Sequence, residues 1–159
     1  DEGTESGPRA RESGRSDGAA RGDDARAKRA QILLGGETPD GPGWFYPPTV
    51  VAGLTEQMDL YSQEAFGPVA SLFRVPENEA AIRLANDTPF GLGAAAWTED
   101  PEEQDLFARR IEAGTVTING ITVSYAPLPF GGIKRSGFGR EHAADGIREF
   151  CNLKTVWVG

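Results

Sequence analysis

The chain has 159 residues with a formal net charge of -8 at pH 7 and 38% hydrophobic residues, a size that fits one domain with a buried core. The acidic balance argues against nucleic acid and anionic membrane as partners. No apolar run approaches membrane-spanning length, nothing at the start reads as a signal peptide, and a single cysteine excludes an internal disulfide and fits a reducing cytoplasm.

Residues 1–29 contain no Val, Ile, Leu, Met, Phe, Trp, Tyr or Cys, and their seven acidic and seven basic residues cancel. This polar Gly/Arg/Asp-rich segment is expected to be mostly disordered, with some helix over 23–29. Gly14, Gly18 and Gly22 each cost a helix roughly 1 kcal/mol against Ala. Without an apolar stripe there is little to dock such a helix.

Residues 30–150 read as an α/β body. Gln31 to Leu34 is a short strand ended by Gly35-Gly36. Residues 37–43 are turn residues. Residues 44–51 are aromatic and β-branched and so extended, with Pro47-Pro48 placing them at a sheet edge. An acidic connector over 54–61 leads to Glu64. A strand is expected over 69–75, a helix over 77–86 with Ala81, Ile82, Leu84 and Ala85 inward, and a small-residue strand over 94–98. Asp100 caps the next helix, Pro101 takes its first position, and Leu106, Phe107 and Ile111 form its buried stripe. A strand follows over 115–119. This alternation implies a parallel sheet joined by right-handed crossover helices. Irregular chain over 120–140, a helix over 141–150 and a terminal strand over 153–158 complete the reading.

The stretch Glu64-Ala65-Phe66-Gly67-Pro68-Val69 is the candidate site. In extended chain, residues i and i+2 share a side, so Glu64 and Phe66 face one space. A carboxylate can accept both hydroxyls of a ribose diol and an aromatic ring can cover a flat heterocycle, a pairing that suits a nucleotide. A surface Glu beside a half-buried Phe is the plainer reading of those six residues alone.

The stretch resembles the E-x-F-G-P-V signature of the NAD(P)-dependent aldehyde dehydrogenase superfamily. Tyr46-Pro47-Pro48-Thr49-Val50, then Ala85-Asn86-Asp87-Thr88-Pro89-Phe90-Gly91-Leu92, then Pro129-Phe130-Gly131-Gly132-Ile133-Lys134-Arg135-Ser136-Gly137 follow in the family's order. The closing run from Arg148 to Trp157 is similar to the succinate-semialdehyde branch. The resemblance runs from about residue 30 to the end and matches the C-terminal third of such enzymes. It implies that Glu64 binds the nicotinamide ribose of NAD or NADP and that Phe66 packs beside the nicotinamide ring. It also implies that Ser124 helps hold the distal carboxylate of a small aldehyde substrate, although Tyr125, Pro127 and Leu128 make that loop less polar than a dicarboxylate site suggests. Phe130 would line the aldehyde tunnel or belong to the core.

The resemblance further implies that the nucleophilic cysteine and general-base glutamate precede the matched region, so this chain alone is expected to carry no catalytic residue and no activity. Residues 151–159 would be an oligomerisation strand, pairing with further copies or with the preceding portion. A non-enzymatic assembly module and a decayed gene product remain as alternatives. Cys151 reads as a buried small hydrophobe, and His142 as a surface-helix residue with no companion for a metal. Gly131 to Arg140 is not a phosphate loop, since it lacks the G-x-x-x-x-G-K-[ST] order, and Lys134 and Arg135 read as structural.

Overall fold

The computed structural model describes residues 7–159. The chain divides into two compact units, Asp1–Arg74 and Val75–Gly159.

In the first unit helix α1, Glu12–Ala27, corrects the expectation of disorder over residues 12–21, while the part of that expectation on residues 1–6 lies outside the described residues. The physical reason is the glycines themselves. Gly14, Gly18 and Gly22 are four residues apart and therefore share one helix face. Side-chain atoms of Arg9 lie against Gly14, the ring of Tyr46 lies against Gly18, and its hydroxyl lies against Gly22. The absence of side chains lets a large ring approach the backbone, and Tyr46 is only 5% exposed. Ion pairs within one helical turn support the exposed face: Arg26 with Asp23 at 3.0 Å and Lys28 with Asp24 at 2.5 Å.

Strand β1, Gln31–Leu34, pairs antiparallel with β2, Thr49–Ala52. After the short helix α2, Asp59–Ser62, strand β3, Val69–Leu72, pairs parallel with β2. Strand β2 is thus the centre of a three-stranded sheet and not an edge. Pro47 and Pro48 precede the ladder, so their missing N–H groups cost it nothing. Thr49 is buried and its hydroxyl is fully used: it accepts from Gly36 N–H and donates to the Pro47 carbonyl, each at 2.9 Å. Ala25, Val51 and Leu60 form the core of this unit, with Ile32, Ala65 and Val69 packed against it.

The second unit contains α3, Asn78–Asn86, with Ile82 buried. Next come β4, Phe90–Gly91, and β5, Gly93–Ala96. Helix α4, Pro101–Arg110, starts as its sequence predicts: the Asp100 carboxylate accepts from Glu102 N–H at 2.8 Å and Pro101 occupies the first turn. Leu106, Phe107 and Ile111 are half-buried, not fully buried. Strand β6, Thr115–Ile118, pairs parallel with β5 across α4, which is the expected strand–helix–strand unit. Strand β7, Ile133–Lys134, pairs antiparallel with β4, and α5, Ala143–Arg148, follows.

The class is α/β as expected, but the parallel pairs β2–β3 and β5–β6 lie in separate small sheets. Residues 153–158 form no ladder within this chain among the described residues; the strand expected there is one that pairs with another chain. A strand is held by a hydrogen-bonded neighbour, and here Leu153, Val156, Trp157 and Val158 are all exposed. Cys151 is exposed as well, not buried, with its thiol 3.5 Å from the Ile147 carbonyl.

Candidate functional site

In the first unit the segment from Glu64 to Val69 leads from α2 into β3. Ala65 packs on the core, whereas Glu64 is exposed and Phe66 is 81% exposed. This is the alternation expected of extended chain, with the small residue inward and the carboxylate and ring outward. Two tight turns follow, with Gly67 N–H donating to the Ala65 carbonyl at 2.7 Å and Val69 N–H to the Gly67 carbonyl at 2.8 Å.

Two arginines hold this segment by its backbone. The Arg21 guanidinium donates to the Glu64 carbonyl, and the Arg9 guanidinium donates to the Phe66 carbonyl. Such charge-assisted bonds to main-chain oxygens fix the backbone while leaving both side chains free. A cleft between α1 and this segment is lined by Arg9, Ser13, Asp17, Arg21, Phe66 and Val69. Neither arginine is legible in the sequence as a residue of this segment. The signal that could have found Arg21 is its place beside Gly18 and Gly22, on the glycine face.

In the second unit Ser124 is exposed and its hydroxyl lies 2.6 Å from Nε2 of His142. His142 immediately precedes α5 with φ 67°, and Ala143 follows with φ 51°. The Ala143 N–H donates to the Ala126 carbonyl at 3.1 Å. Phe130 is half-buried and exchanges two backbone bonds with Glu141, at 2.8 and 2.7 Å. Ser124 and Phe130 thus sit on one loop tied to the start of α5. His142 is a neighbour of that loop, not the bystander its sequence position suggests.

Lys134 and Arg135 are structural. The Lys134 ammonium donates to the Asn86 carbonyl at 2.8 Å and pairs with Glu112 at 2.8 Å. The Arg135 guanidinium lies 5.8 Å from the centre of the Phe90 ring. The glycines here serve close backbone approach: a β-carbon on Gly114 would fall 1.8 Å from the Gly131 carbonyl oxygen. No cluster of three or more metal-ligating side chains occurs among the described residues. None of their helices is long and apolar enough to cross a membrane.

The described residues form a mixed α/β chain that presents exposed Glu64 and Phe66 on either side of the half-buried, core-packed Ala65. The chain belongs to the aldehyde dehydrogenase family, whose model matches residues 1–156. That match takes in the N-terminal helix, which the motifs leave out. Succinate-semialdehyde dehydrogenase [NADP(+)] 1 of Mycobacterium ulcerans (strain Agy99) is 58% identical over 156 residues, covering 98% of this chain and 34% of the relative. Succinate-semialdehyde dehydrogenase [NADP(+)] of Mycobacterium avium (strain 104) is 58% identical over 159 residues, covering 100% of this chain and 34% of the relative. Among solved structures, succinic semialdehyde dehydrogenase from Streptococcus pyogenes in complex with NADP+ superposes with a TM-score of 0.92. It is 37% identical, over 99% of this chain and 35% of that one. Betaine aldehyde dehydrogenase from Staphylococcus aureus in complex with NAD+ gives a TM-score of 0.86 at 35% identity, over 94% of this chain and 30% of that one. The chain spans about a third of the length of the curated relatives it matches.

Proposed function

We propose that these residues form part of an NADP- or NAD-dependent dehydrogenase that oxidises a small aldehyde, succinate semialdehyde or a close analogue, to its carboxylic acid. The observation that carries this is the exposed pair Glu64 and Phe66 flanking the core-packed Ala65. A large aromatic side chain left in water beside a free carboxylate matches the needs of a nicotinamide ribose. The relatives named for NADP-linked succinate-semialdehyde oxidation support the same reading.

The donor and acceptor chemistry fits the cofactor. Glu64 accepts hydrogen bonds from the ribose diol, and Phe66 covers one face of the nicotinamide. Arg21 and Arg9 keep both residues in register through their carbonyls. The bound nicotinamide supplies hydride acceptance, and the chain supplies orientation. In the second unit Ser124 contacts the far carboxylate of the substrate and Phe130 lines its path. No nucleophile or general base is assigned within residues 1–159, and the chain by itself is proposed to be inactive.

The exposed Leu153, Val156, Trp157 and Val158 favour pairing of this terminal run with another chain, a second copy being the simplest partner. Glu64→Gln in the full-length polypeptide tests the cofactor assignment. It should raise the KM for NADP or lower kcat by about tenfold, the loss of one charge-assisted bond. Unchanged cofactor kinetics would remove Glu64 from the site.

A further inference from the structure

We propose that His142 is a positioning residue for substrate selection: its Nε2–H donates to the Ser124 hydroxyl and so directs the serine proton at the carboxylate of the aldehyde substrate. This deepens the proposed function and rests on Ser124 facing that carboxylate. The two side chains are 2.6 Å apart, eighteen residues apart in sequence.

The direction of each bond follows from counting protons. A serine hydroxyl has one proton to give and two lone pairs to receive with. An ionised carboxylate only accepts. If Ser124 spends its proton on the imidazole, it offers the carboxylate nothing but lone pairs, which repel it. If Nε2 carries the proton, the hydroxyl receives there and donates onward. The Nε2–H tautomer and the imidazolium both satisfy this.

The backbone is built to hold this contact. His142 and Ala143 both have positive φ, at 67° and 51°, a region that non-glycine residues rarely enter. The Ala143–Ala126 and Phe130–Glu141 backbone bonds tie the loop to the residues on either side of His142. Glycine would take the conformation of residue 142 more easily. A histidine held there is explained by what its ring touches.

The test uses the full-length polypeptide and two aldehydes of equal length: succinate semialdehyde, which carries the carboxylate, and butanal, which does not. The readout is the ratio of their kcat/KM values. His142→Gly keeps the turn geometry and removes the imidazole. It should lower the ratio by about tenfold, through KM for succinate semialdehyde, with butanal oxidation unchanged. His142→Gln, whose amide can donate in place of Nε2–H, should recover most of the ratio. Ser124→Ala should lower it at least as far. A ratio unchanged in His142→Gly while Ser124→Ala collapses it overturns this proposal alone. A ratio unchanged in Ser124→Ala overturns the substrate assignment of the loop and this proposal with it. Equal loss on both aldehydes in His142→Gly marks a folding effect and also overturns it, as does a wild type that oxidises neither.

Discussion

Gly18 of α1 lies flat against Tyr46, such that a β-carbon at position 18 would stand 3.4 Å from two carbons of the ring. That is ordinary contact distance, so one methyl fits and a branched side chain does not. Gly18→Ala should therefore stabilise the chain by about 0.5–1 kcal/mol, from the gain in helix propensity. Gly18→Leu should cost about 1–3 kcal/mol by displacing the ring. Urea unfolding followed by circular dichroism reads both, and equal effects of the two changes would contradict the docked face.

The two arginine clamps make a prediction about backbone order. Arg21→Ala and Arg9→Ala remove donors to the Glu64 and Phe66 carbonyls. Hydrogen exchange over residues 62–70 should rise in each variant, while exchange in β5 and β6 stays as in the wild type. No change over 62–70 would mean that the turns alone hold the segment.

In the second unit the close approach of Gly114 to the Gly131 carbonyl leaves no room for a side chain. Gly114→Ala should destabilise by about 3 kcal/mol. Gly120→Ala is the control, because its added carbon would meet only a methyl of Thr117 at 3.2 Å. That change should stay within about 0.5 kcal/mol. Thermal melts of the two variants distinguish them.

Asp24 gives the fold a dependence on acid. Its hydrogen bond with Lys28, followed by the bond it accepts from Asp59 N–H, holds its pKa below the ordinary value of 3.8. A carboxylate with a lowered folded pKa stabilises fully above its unfolded value, and that contribution is lost as pH falls through the folded value. Stability from this group should be flat near neutrality and fall below about pH 3.8. Asp24→Asn should flatten that part of the pH profile, and an unaltered acid limb would show that the pair adds nothing.

Local pattern made some elements legible. The apolar run Gln31 to Leu34 is β1, and Asp100-Pro101 marks the start of α4, because caps and short strands are set by residues a few positions apart. The Glu64–Ala65–Phe66 alternation was also readable. The glycines of α1 were not, since spacing alone does not say whether a glycine breaks a helix or admits a ring; that depends on Tyr46, far along the chain. The central place of β2 depends in the same way on β3. The terminal run 153–158 has strand-forming residues but no hydrogen-bonded strand neighbour among the described residues of this chain. The contact of His142 with Ser124 is not legible in the sequence because the two are remote along the chain and meet only through the turn at Ala143.

Glu64 and Phe66 are proposed to hold a nicotinamide nucleotide for aldehyde oxidation. The most direct measurement is succinate-semialdehyde-dependent NADP reduction by the full-length polypeptide, wild type against Glu64→Gln and Phe66→Ala, at saturating aldehyde. Cofactor reduction by the wild type and a fall of about tenfold in kcat/KM for NADP in each variant are expected. Wild-type rates in both variants would contradict that assignment.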